Sequence, residues 1–147
     1  MSERNEAAGS GLGRDRRYSA HMIKGGNATI YVSDMDRSVQ FYTEILGLRL
    51  AFRAGNHWAG IDAGGGLQLG LHPAGPRSPV PGTPGAITVG FGVDEPIEKV
   101  VSTLESHGVL FHGSIIDDGP VKLAFFTDPD GNELYLAEER AEARNDL

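Results

Sequence analysis

His72 and Glu133 are the two side chains of this 147-residue chain that its strand patterns offer as a general base. His72 closes the run LQLGLH, whose alternation puts it on one face with Gln68 and Gly70. Glu133 belongs to the run NELYLAE and shares a face with Tyr135. Imidazole titrates near neutrality and a carboxylate accepts a proton, so either group suits general-base work. Together with Gln68 they would also offer oxygen and nitrogen donors to a divalent cation. The plainer roles are a strand-end hydrogen bond from His72 to the following proline-rich segment and a rim carboxylate at Glu133. Tyr31 and Tyr135 bring hydroxyls able to donate to a ligand carbonyl. Trp58, the single tryptophan, follows His57 directly after a turn, and its ring either packs in a core or stacks on a flat organic ligand. His107 ends a helical pattern, where a cation complements the helix dipole, and His112 has no readable partner. With no cysteine, disulfides, thiolate metal sites and cysteine nucleophiles are excluded. No P-loop, nucleophile elbow or dinucleotide fingerprint is present; Gly64-Gly65-Gly66 lies between strand patterns with no helix after it.

The elements that position these groups come in two similar sets. NATIYV alternates, with Ala28, Ile30 and Val32 on one face and Asn27, Thr29 and Tyr31 on the other, which predicts a half-buried strand. Ser33 or Asp34 then offers a helix cap, Met35, Val39, Tyr42 and Leu46 recur at helical spacing with Phe41 and Ile45 beside them, and Gly47 ends the helix. LRLAFR, HWAGID and LQLGLH read as three strands. Residues 73–85 hold five prolines and three glycines and read as a linker. The pattern then repeats: AITVGFGV as a strand, Asp94 as a helix cap with Pro96 in the first turn, Ile97, Val100, Val101 and Leu104 as the buried stripe, Gly108 as the stop. VLFHGSII, VKLAFFT and NELYLAE follow as strands, with Asp128-Pro129-Asp130-Gly131 as the last turn. At an offset of 61 residues Val32 falls on Val93, Gly47 on Gly108 and Asn27 on Thr88. The expected architecture is α+β: two βαβββ modules forming a cupped mixed sheet. One set of faces, with Ile30, Val32, Leu69, Leu71, Phe91, Leu134 and Leu136, packs on the helices. The other, with Asn27, Tyr31, Gln68, His72, Thr88, Gly90, Gly92 and Tyr135, lines a ligand cup.

The residues YVSDMDRSVQFYTEILGL, followed by FFTDPDGNELYLAE, resemble the vicinal oxygen chelate superfamily over roughly residues 26–138. That superfamily includes glyoxalase I, bleomycin-resistance proteins and extradiol dioxygenases. The resemblance implies the glyoxalase/bleomycin resistance fold, whose members range from isomerases, transferases and dioxygenases to drug-binding proteins. In its metal-using members, ligands of the His, Glu and Gln types come from the start of each module's first strand and from each module's last strand, and the metal stabilises an oxyanion or activates oxygen. Those positions fall on Asn27, near Gln68, on Thr88 and on Tyr135, a set poor in metal ligands. The resemblance also implies a homodimer, with the cup within one chain or shared between two; sedimentation as a monomer at micromolar concentration would remove the shared version.

Composition narrows the partners. Thirteen basic and twenty acidic residues give a net charge of −7, unsuited to nonspecific nucleic-acid or anionic-membrane binding. No apolar run reaches the roughly 20 residues of a membrane span, and residues 1–18 lack the apolar stretch of a signal peptide. The sequence therefore leads to a cytoplasmic protein with a flexible extension (1–25), one domain (26–139, with modules 26–72 and 86–139) and a charged tail (140–147). Its expected function is that of a bleomycin-resistance-type protein, binding a small organic ligand without the usual catalytic metal or any other cofactor. The contacts expected are Asn27, Tyr31, Trp58, Gln68, His72, Thr88 and Tyr135. The alternative is a glyoxalase- or dioxygenase-like enzyme with His72 or Glu133 as base, either metal-free or with a displaced divalent metal.

Overall fold

A computed structural model describes Met22 and residues 25–140. The expected extension before residue 25, Met22 apart, and the tail beyond Arg140 lie outside the described residues.

The first module runs β1 (Ala28–Val32), α1 (Met35–Gln40), β2 (Arg49–Ala54), β3 (Trp58–Gly64) and β4 (Leu67–Pro73). The second runs β5 (Thr88–Gly92), α2 (Ile97–Ser106), β6 (Phe111–Asp117), β7 (Val121–Thr127) and β8 (Glu133–Glu139). Each forms a four-stranded mixed sheet, in the orders β1-β4-β3-β2 and β5-β8-β7-β6, with the first strand parallel to the last. The alternation in the sequence sorts the faces as expected. Ile30, Val32, Leu69, Leu71, Leu134 and Leu136 are buried in the core with Ile97 and Leu104 of α2 and Met35 and Val39 of α1, and Phe91 packs half-buried against it. Each fully buried aliphatic side chain of this kind contributes about 1.5–3 kcal/mol.

Local structure departs from the sequence reading in two places. Asp34 caps α1 by accepting from the Arg37 N–H at 3.1 Å, but α1 does not continue as one regular helix to Leu46. Phe41–Ile45 form a π-helical segment in which the Leu46 N–H bonds the Phe41 carbonyl at 2.9 Å. A π insertion shifts the phase of the following residues; here Tyr42 is fully buried and Leu46 is only half-buried. At α2, the expected cap Asp94 is displaced by a distant residue. Pro96 occupies the cap position without a side-chain bond, and the Glu138 carboxylate on β8 accepts the Ile97 N–H at 2.9 Å. An acceptor on a helix's first N–H groups is worth about 1 kcal/mol, so Glu138→Ala is expected to lower stability by about that amount in urea titration.

The modules are joined by a clasp at the β7–β8 turn. Asp128, buried at 4% exposure, accepts from the Tyr42 hydroxyl at 2.7 Å, from the N–H groups of Asp130 and Asn132 and from the Asn132 side-chain amide. Asp130 accepts from the Ser33 hydroxyl and from Arg37, the latter at 3.2 Å. Asn132 reaches the Tyr31 carbonyl, and its side-chain oxygen accepts the linker's Gly82 N–H at 3.0 Å. Gly82 is required there: its φ is +84°, and a Cβ would lie 1.9 Å from the Asp130 carbonyl oxygen.

Candidate functional site

Strand register arranges the cup face of the first sheet in rows. Gln68 lies opposite Asp62 on β3, which in turn lies opposite Arg49 on β2. This row is polar and internally bonded. Asp62 accepts from Arg49 at 2.7 Å and from the Gly64 N–H, and these bonds, with a further one from Gln68, hold its carboxyl below the usual carboxylate range. The next row is Thr29, Gly70 and Gly60, with Phe52 at its outer end, 60% exposed. The third row is aromatic: Tyr31 opposite His72, with ring centroids 5.7 Å apart, and Trp58 beside His72 at 6.3 Å.

The glycines of the middle row explain where Trp58 lies. A Cβ on Gly70 would stand 2.0 Å from the Trp58 Cη2 atom, and one on Gly60 would stand 3.7 Å from its indole nitrogen. The indole therefore extends over the glycine floor. The sequence left Trp58 between core and pocket; it lies on the cup face. The second sheet repeats the device with different residues. Tyr135 lies over Gly90, where a Cβ would meet its ring at 2.2 Å, and Phe125 packs beside it with centroids 5.2 Å apart. Thr88 lies opposite Glu133 and its hydroxyl donates to that carboxylate at 3.0 Å.

His72 bonds the Pro73 carbonyl at 2.8 Å through Nδ1, at the first residue of the proline-rich segment. His57 sits on the β2–β3 turn, its backbone N–H on the Ala54 carbonyl. His107 bonds the Thr103 carbonyl at the end of α2, and His112 lies opposite Phe125 on the outer strand β6.

The register also corrects one equivalence. Tyr135 lies opposite Gly90, and the first-module residue opposite the matching β1 position, Thr29, is Gly70. Gln68 is therefore the counterpart of Glu133, not of Tyr135. The four positions that the resemblance associates with metal ligands become Asn27, Gly70, Thr88 and Tyr135. An amide, an aliphatic hydroxyl, a phenol and a residue with no side chain do not fit a divalent transition ion. Trp58 also occupies the space in which a ligand on residue 70 would stand. Among the described residues, no three His, Asp or Glu side chains come together in a group able to hold a metal ion.

A cavity of about 1160 Å³ lies between the two modules. It is bordered by Gly90, Gly92 and Ala137 but by none of the seven expected ligand contacts, and the sequence did not reveal it. Its origin is a broken symmetry. The turns after Asp62 and Thr127 have the same length, so Ala63, Gly65 and Leu67 stand where the clasp has Asp128, Asp130 and Asn132. All three small or apolar residues border the cavity, as does Asp94, the counterpart of Ser33. One end of the pseudo-symmetric module junction is closed by hydrogen bonds; the other is open.

This architecture has known relatives. The family model for the glyoxalase/bleomycin resistance protein/dioxygenase superfamily matches residues 24–136. The chain belongs to this superfamily. An uncharacterized protein of Mycolicibacterium smegmatis is 31% identical over 123 residues, covering 80% of this chain and 94% of the relative. Among solved structures, a superfamily member from Sphaerobacter thermophilus superposes with a TM-score of 0.67 at 25% identity, covering 80% of this chain and 98% of the other. TnmS3, an antibiotic-binding protein from Streptomyces sp. CB03234, superposes with a TM-score of 0.64 at 26% identity, covering 82% and 100%. No helix among the described residues is long and apolar enough to cross a membrane.

Proposed function

We propose that this superfamily member binds a planar aromatic small molecule in its cup and holds it without a catalytic metal. The observation that carries the reading is the pair of glycine-supported rings, Trp58 over Gly70 and Tyr135 over Gly90. A ring that lies over a glycine has no side chain beneath it to hold it away from the strand and can meet a ligand at little cost in side-chain entropy, and aromatic pairs contribute about 0.5–1.5 kcal/mol beyond the area they bury. Tyr31, His72 and Phe125 extend this surface, while Gln68, Thr88 and Glu133 supply hydrogen bonds at its edge. Asn27 stands at the entry to β1. The donor set at the family's metal positions and the likeness to an antibiotic-binding protein support binding over metal-dependent chemistry.

Because Trp58 is the single tryptophan, its indole N–H gives one resonance in an ¹⁵N-correlated NMR spectrum, and that resonance reports on the cup directly. Adding 2-naphthol or 9-hydroxyphenanthrene is expected to shift it saturably, with calorimetric heats that disappear in Trp58→Leu. A resonance unmoved by every planar aromatic probe sinks the reading. Stoichiometric bound metal after purification without chelator, lost in His72→Ala, would favour the enzymatic alternative.

A further inference from the structure

The hydrogen bond on His72 constrains what the cup recognises. The Pro73 carbonyl is only an acceptor, so the His72 Nδ1, 2.8 Å away, must be the nitrogen that carries the proton. In the neutral ring Nε2 then holds a bare lone pair and acts as an acceptor. His72 is exposed on the cup face, and its ring stands nearly perpendicular to both neighbours, at 72° to Trp58 and 72° to Tyr31. An aromatic ligand stacked parallel to the Trp58 indole would lie at about that same angle to the imidazole beside it. Among the described residues Nε2 has no hydrogen-bond partner of its own.

We infer that His72 is a specificity-determining residue that accepts a hydrogen bond through Nε2, and that the ligand class is planar aromatics bearing a hydroxyl or N–H on the ring edge. This rests on the aromatic-binding reading above and narrows it: the same ring system with that donor methylated is discriminated against. The physical basis is that a ligand lacking the donor strips water from Nε2 and gives nothing back, whereas a shape-matched ligand with the donor replaces that water. Methylation also places a methyl group against the nitrogen.

The test uses paired probes, 2-naphthol with 2-methoxynaphthalene and 9-hydroxyphenanthrene with its methyl ether, titrated calorimetrically into the full chain. The wild type is expected to prefer the hydroxyl member of each pair by about tenfold. His72→Phe keeps an aromatic wall and is expected to bind both members alike. His72→Gln, whose side-chain oxygen offers an acceptor at similar reach, is expected to recover part of the preference. A readout independent of ligand comes from long-range ¹⁵N–¹H spectra of the wild-type imidazole, which should show Nδ1 protonated and Nε2 bare, with Nε2 moving on addition of 2-naphthol. Equal affinity for both members of each pair in the wild type overturns the inference while leaving aromatic binding standing. A protonated Nε2 in the neutral ring, or a preference undiminished in His72→Phe, does the same. No binding of any probe overturns both.

Discussion

Replacing Asp128 with alanine is expected to lower the unfolding free energy by about 2–5 kcal/mol. The carboxylate receives four hydrogen bonds, and two of its donor residues, Tyr42 and Asn132, are themselves buried at 0% and 4% exposure. A buried donor without an acceptor costs about 1–3 kcal/mol, so alanine costs more than the net value of the bonds it removes. Tyr42→Phe should cost less, about 1 kcal/mol, because the carboxylate keeps its other donors. The double variant should fall short of the sum, since removing the hydroxyl also removes one of the orphaned donors. Urea titration of the three variants measures each term.

The same pair gives an alkaline signature. Burial, and then the charge of Asp128, raise the Tyr42 hydroxyl well above its usual value. In the unfolded chain a tyrosine ionises near pH 10. Above that pH the unfolded state sheds a proton that the folded state retains. The stability tied to Tyr42 is thus fully present below about pH 10 and is lost as the pH rises from there through the folded value. Wild-type stability should fall more steeply than that of Tyr42→Phe above about pH 10; parallel profiles would contradict the burial of this hydroxyl.

What the sequence disclosed and what it hid divide along sequence separation. Alternation at Ile30 and Val32, or at Leu69 and Leu71, is a local signal, and the sheets follow it. The glycines at Gly47 and Gly108, with φ of 78° and 93°, mark helix ends that any reader of turn chemistry expects. The clasp depends on residues such as Tyr42 and Asp128, 86 positions apart, and Glu138 caps α2 from 41 positions away. No local pattern encodes such pairs. Glu138 takes the position that local chemistry assigned to Asp94, a case of tertiary geometry overriding a capping preference. Within the candidate site, polar positions such as Gln68, Thr88 and Glu133 were legible because strand period alone puts them on the cup face. Trp58 was ambiguous because the turn before β3 hides the phase. The slip from Gly70 to Gln68 came from the same source, since only the ladder between β1 and β4 fixes which residues lie opposite.

On the proposed aromatic-binding reading, Gly70 is where that register matters most. Gly70→Val is expected to weaken binding of 2-naphthol by at least about tenfold, with a change in stability of only about 1–2 kcal/mol in either direction. Gly70 has ordinary strand backbone, and valine suits a strand better than glycine, so the chain itself gains. What changes is the space above it. The new Cβ would stand 2.0 Å from Cη2, 2.4 Å from Cζ2 and 2.8 Å from Cζ3 of Trp58, so the indole must leave the floor. It can only swing into the cup, where it occupies the ligand's place, or toward solvent, where it no longer offers a flat face. Either outcome removes the stacking surface without touching a polar ligand contact. The Trp58 indole N–H resonance reports the displacement before any ligand is added. Gly92→Ala is the control: it lies on the cup face of the second sheet, on β5, and a Cβ there meets nothing within 4 Å. Gly90→Val should behave like Gly70→Val, because its Cβ meets the Tyr135 ring at 2.2 Å. If Gly70→Val binds the probe as the wild type does, the indole is not the platform; if it loses binding while Gly92→Ala keeps it, the absence of a side chain at position 70 is what turns a core-type aromatic into a binding surface.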